Sequence, residues 1–105
     1  MSVQIIENWS RIAGIVRTLQ PSTEVKGFTI ADVEVEQVTP VEGFPNLLEG
    51  AEGQTLPIHI PDELVEQLRI EALDRIECRV RRAGPDRYFV HRQEISIERP
   101  NESPD

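Results

Sequence analysis

Between residues 78 and 92 stand five arginines, Arg79, Arg81, Arg82, Arg87 and Arg92, with Asp86 the one acid among them. A planar guanidinium forks onto carboxylate or phosphate, and Tyr88 lies within the cluster as a ring on which a base can stack. The chemistry on offer is anion recognition. A second charged set has the opposite sign: Asp32, Glu34 and Glu36 alternate with Ala31, Val33 and Val35, which puts three carboxylates on one face of a strand. Nothing in the pattern encloses them, so a solvated face accounts for them better than paired acid and base work. Phe44 and Leu47 form a third set, in a stretch over 40–53 rich in glycine and proline. Either they fold back over the core or they offer an anchor to a partner.

Bond-making chemistry finds little support. Cys78 falls on the apolar parity of its strand, where a thiol acts as a small hydrophobe. His59 and His91 are the two histidines; with no close cysteine or carboxylate spacing they do not form a metal site on paper. They can meet only if the third and fifth strands adjoin. There is no phosphate-binding glycine loop, dinucleotide fingerprint or serine elbow. The sequence is therefore expected to encode a non-enzymatic protein with no cofactor and no metal.

The chain has 105 residues, of which 38% are apolar, enough for one core but not two. One domain over 1–98 is expected, followed by a polar, proline-punctuated tail at 99–105. A single cysteine excludes an internal disulfide. No apolar run approaches the roughly 20 residues of a membrane-spanning helix, and Met1-Ser2-Val3-Gln4 lacks the layout of a signal peptide, so a cytoplasmic protein without membrane contact is expected. The formal net charge of -8 opposes nucleic-acid binding driven by whole-molecule attraction. Its distribution is uneven: residues 24–77 sum to -10 and residues 78–92 to +4.

The elements that must position these groups follow from periodicity. A first strand within 9–19 is apolar on both parities, and Gly14 in its middle permits a bend or bulge. A second runs from Phe28 to Val38; Phe28 and Ile30 share one parity and Ala31, Val33 and Val35 the other, which suggests a bulge between Ile30 and Ala31. A third, over 55–60, holds Pro57 and should lie at an edge or beside a gap. Pro61-Asp62-Glu63 opens a helix of about three turns with a stripe of Leu64, Val65, Leu68 and Ala72. A hairpin follows, 75–82 and 87–97 around Ala83-Gly84-Pro85-Asp86, with Ile76, Cys78, Val80, Phe89, Ile95 and Ile97 facing inward. Phe28 and Phe89 thus belong to the core, and Tyr88 and Trp9 remain as stacking platforms, although Trp9 also suits packing against the base of the fold.

This order, with a glycine-bearing first strand and one helix between the third and fourth strands, resembles the OB-fold, an all-β, five-stranded Greek-key barrel of order β-β-β-α-β-β. The resemblance implies a ligand surface on the outer face of strands two and three and on the loops joining strands one to two and four to five. Mapped here, that surface is acidic on strand two and basic at the last hairpin. The expected function is a binding or adaptor module for a protein partner, with the acidic strand face and the arginine hairpin as opposed contact surfaces. Such poles also permit salt-sensitive self-association. The alternative is single-stranded DNA or RNA held by the arginines and Tyr88. A bland account competes with both, in which the arginines pair across strands with acids such as Glu77 and Glu94.

Overall fold

The computed structural model describes residues 6–99. Residues 100–105 of the expected tail, and residues 1–5 with the Met1-Ser2-Val3-Gln4 start, lie outside them. Five strands and one helix follow in the order β1 (Ser10–Pro21), β2 (Phe28–Pro40), β3 (Thr55–Pro61), α1 (Asp62–Leu68), β4 (Arg75–Gly84) and β5 (Arg87–Glu98). The sheet closes on itself in the spatial order β1-β2-β3-β5-β4, with β4 returning to β1. All neighbours are antiparallel except β3 and β5, which meet in parallel through only Ile58 with Tyr88 and His59 with Phe89. This arrangement is compatible with an OB-like fold. Among the described residues no helix is long and apolar enough to cross a membrane.

The β-branched content of the inward parity builds the core. Ile12 and Val16 of β1, Val33 and Val35 of β2, Ile58 and Ile60 of β3, and Ile76 and Val80 of β4 are essentially inaccessible to water. Such side chains suit a pleated surface because their χ1 freedom is already restricted. At Gly14 the backbone of β2 fills the space that a side chain on β1 would need. A Cβ there would stand 2.3 Å from the Glu34 carbonyl oxygen, so no larger residue fits without backbone movement. The register slips between Ala13 and Gly14, where β2 carries the extra residue Glu36, and again at Arg17. The bulge expected between Ile30 and Ala31 is absent: both pair in unbroken register with β1 and β3. Without it, Phe28 and Ile30 face outward.

Pro57 lies opposite Asp32 of β2, one residue before β3 meets β5, so its missing N–H falls beside the seam. The helix is shorter than its apolar stripe suggests. It ends at Leu68, Arg69 turns left-handed at φ 53°, and Ala72 lies in the turn beyond. Arg69 N–H bonds the Glu66 carbonyl and Ile70 N–H the Val65 carbonyl, which satisfies the last carbonyls and sends Ile70 into the core. The loop at 40–53 resolves its two readings residue by residue. Leu48 and Ala51 are buried against the core, Phe44 is half-buried, and Leu47 stays 43% exposed. Asn46 Oδ1 fixes the loop by accepting from Ser10 Oγ at 2.5 Å and Leu48 N–H at 3.3 Å.

Candidate binding face

The outward residues of four strands fall into one row. Ile30 on β2 pairs with His59 on β3, His59 with Phe89 on β5, and Phe89 with Arg81 on β4. Direct cross-strand partners stand close enough for their side chains to touch. His59 stacks on Phe89 with ring centroids 4.9 Å apart, Phe28 meets Phe89 edge to face at 5.7 Å, and the Arg81 guanidinium carbon lies 5.3 Å from the Phe89 centroid. The result is an aromatic cluster capped by a cation.

This corrects the expected roles of the aromatics. Tyr88 is buried, at 6% exposure, and cannot serve as a platform. Phe28 and Phe89, assigned to the core from parity, are half-buried on the outside. Phe28 is outside because β2 has no bulge, and for Phe89 the cause lies in β5, where Val90 pairs with Val80 but Ile95 pairs with Cys78. Residues 91–94 therefore stand against Arg79 alone, and the inward parity switches from Tyr88 and Val90 to Ile95 and Ile97. Trp9 lies over this irregular stretch, edge-on to His91 at 5.1 Å, with its Nε1–H donating to Glu7 Oε2 at 3.3 Å.

The hairpin turn is tighter than the sequence suggests, with Gly84 opposite Arg87 and only Pro85 and Asp86 between them. A hydrogen-bonding clamp that no sequence pattern disclosed holds its base. Asn8 is 2% exposed; its Oδ1 accepts from Arg82 N–H and its Nδ2–H donates to Arg82 C=O, both at 2.9 Å. The amide thus substitutes for a neighbouring strand where β4 has outrun β1. On its other side the hairpin is tied to the β1–β2 loop by Arg87 and Glu24 at 2.5 Å.

The arginines separate into two groups. Arg79 contacts Glu94, which also lies 3.5 Å from Arg11; Arg92 reaches Glu63 of α1 at 2.5 Å; and Arg87 holds Glu24. Pairing with Glu94 is as the bland account expects, but Glu77 makes no ion pair among the described residues. Arg81 and Arg82 have no carboxylate partner there either: Arg81 rests on Phe89, and Arg82 donates from Nε to the Gly84 carbonyl at 3.4 Å. The acidic face is compensated in part, by arginines at Glu34 and Glu36 and by a neutral hydroxyl alone at Asp32. Glu34 pairs with Arg17 at 2.8 Å, Glu36 with Arg75 at 2.6 Å, and Asp32 accepts from Thr18 Oγ1 at 2.7 Å.

His59 is the unusual member of the row. It is 4% exposed, and neither ring nitrogen has a hydrogen-bond partner among the described residues. A buried polar group left unpaired costs about 1–3 kcal/mol, so the position is not one that packing alone selects. His91 has Trp9 as its ring partner, and no cluster of three or more His, Cys, Asp or Glu among the described residues could hold a metal ion. Burial pushes the Cys78 thiol up to about 12, far from a nucleophile's range. An open groove of about 440 Å³ runs past Ala13, Gln37, Arg75, Glu77 and Ser96 on another part of the ring, but no orphaned buried polar group lines it.

Comparison with known proteins returns no matching family model and no matching curated protein, so function must be argued from these side chains.

Proposed function

We propose that the chain is an OB-like, non-enzymatic binding module that docks a protein through the outer face of β2, β3, β5 and β4. The observation that carries this reading is the row Ile30, His59, Phe89 and Arg81, with Phe28 beside it. Half-exposed aromatics flanked by an uncommitted arginine are the residue types that dominate protein interfaces. Asp32 and Glu34 border the row on β2, whereas Arg82, paired with the inward Tyr88, lies on the other face of β4.

Single-stranded nucleic acid is the second reading, favoured by the same half-exposed rings beside Arg81. Two features weigh against it. Three of the five hairpin arginines are already engaged by carboxylates, and the chain as a whole carries -8. Two remaining cations would give a salt slope of about -1.4 on a single strand. The test is an amide NMR titration with mixed-sequence single-stranded DNA and RNA at low and then moderate salt. The protein-docking reading expects no shifts at Arg81, Arg82 and Phe89. Shifts confined to those residues and fading with salt would replace it with nucleic-acid binding.

A further inference from the structure

We infer that the 40–53 loop is a second docking surface, separate from the row of Ile30, His59, Phe89 and Arg81, and that its occupant is a basic segment of a partner protein. The segment lays an aliphatic or aromatic side chain beside Leu47, and its lysine or arginine groups meet Glu42, Glu49 and Glu52. The loop's apolar residues divide between two tasks. Leu48 and Ala51 enter the core, whereas Leu47 is 43% exposed and Phe44 half-buried. A groove of about 350 Å³ opens along the same loop, with Val38 and Pro40 as its apolar wall and Asn46, Glu49, Gly50 and Glu52 opposite. Covering Leu47 and that wall removes from water apolar surface that folding leaves there. The surface is also formed in advance. Asn46 ties the loop to Ser10, and at its far end Gly53 N–H donates to the Val35 carbonyl at 2.8 Å and Val35 N–H to the Gln54 carbonyl at 2.9 Å. Docking on a loop held in this way carries a small ordering cost.

Charge complementarity decides the sign of the occupant. No lysine or arginine stands between Gly27 and Leu68. Arginines from β1, β4 and β5 reach Glu34, Glu36 and Glu63 of this stretch, but among the described residues none forms a salt bridge with Glu42, Glu49 or Glu52. The net charge of -8 acts in the same direction, because it steers a cationic partner towards the molecule and opposes phosphate groups and acidic segments alike. Val38 lines the groove, while Gln37, of the opposite parity, faces Ala13 of β1; the groove thus opens away from Gln37.

The experiment is selection of a random-sequence peptide library displayed on phage against the whole protein, followed by amide NMR mapping of the enriched peptides. Peptides that combine lysine or arginine with an aliphatic or aromatic residue are expected, with shifts at Leu47, Gly50 and Glu52 and an affinity that falls as salt is raised. The double variant Glu49→Lys with Glu52→Lys should weaken them by about tenfold or more, and Leu47→Ser by about fivefold, while Phe89→Ala leaves them unchanged. All these substitutions on the loop are at exposed positions, and each variant is to show the dispersed spectrum of the parent; Leu47→Ser keeps the test decisive if the charge-reversed protein does not fold. Neutral or acidic peptides that map to the loop would overturn the basic assignment. Peptides that map to Phe89 alone, or a selection that yields nothing on the loop, would overturn this surface while leaving the proposed docking face in place.

Discussion

At the scale of single residues, the positions that matter most are those where a side chain completes what the backbone leaves unfinished. Asn8 supplies β4 with a donor and an acceptor where no strand does. Asn8→Ala leaves the Arg82 amide and carbonyl without these partners, and should cost about 1–3 kcal/mol in a denaturant titration. Gly14 has a different constraint, since its Cβ position is filled by the Glu34 carbonyl. Gly14→Ala should cost about 1–3 kcal/mol through overpacking, with a fall in the denaturation midpoint at unchanged slope. Cys78 makes a prediction about pH. Its thiol ionises near 9.0 when unfolded and about 12 when folded, because burial disfavours the thiolate. Between those values the native state holds the extra proton, so its contribution is complete below pH 9 and declines as pH rises towards 12. Relative to Cys78→Ala, the wild type should lose about 1.4 kcal/mol of stability per pH unit in that window. Parallel slopes for the two proteins would contradict it.

At the scale of elements, the strand order and the helix position were legible because hydrophobic alternation and Pro61-Asp62-Glu63 are local signals. The faces of β2 and β5 were not. Phe28 and Ile30 are large and apolar, so parity alone draws them inward through a supposed bulge; only the unbroken pairing with β1 and β3 shows them outside. In β5 the stretch at 91–94 against Arg79 shifts the parity, and no turn residue announces it. The candidate site was therefore half legible: Arg81 and Arg82 could be read from charge, whereas the placement of Phe28, His59 and Phe89 together depends on long-range register. The helix end teaches the same lesson. Its stripe runs on through Ala72, yet Arg69 is left-handed. Since Arg there bears a Cβ penalty that glycine avoids, Arg69→Gly should stabilise the protein by about 0.5–1 kcal/mol, read as a rise in Tm. Leu48 closes the core from the 40–53 loop, and Leu48→Ala should cost about 2–4 kcal/mol by leaving a cavity.

At the scale of the whole molecule, the uneven charge of the sequence is softened by the fold. Glu34, Glu36, Glu24, Glu63 and Glu94 each meet an arginine from another element, so the two poles read in the chain partly cancel on its surface. Four of these pairs are exposed and contribute little stability, and Arg79 with Glu94 is the half-buried one. Their effect is selective: they leave Arg81 and Arg82 without carboxylate partners, and of the two Arg81 lies on the aromatic cluster that has a buried imidazole at its centre. The most direct test of this account is photo-crosslinking in cells from a benzophenone side chain placed at Asp32, which borders the row on β2, with Gln37 on the far part of β2 as the control position. The account predicts adducts from Asp32 that resist nuclease, are destroyed by protease, and are lost when Phe89→Ala is added, with none from Gln37. Adducts that nuclease removes, or protein adducts of equal strength from Gln37, would contradict it.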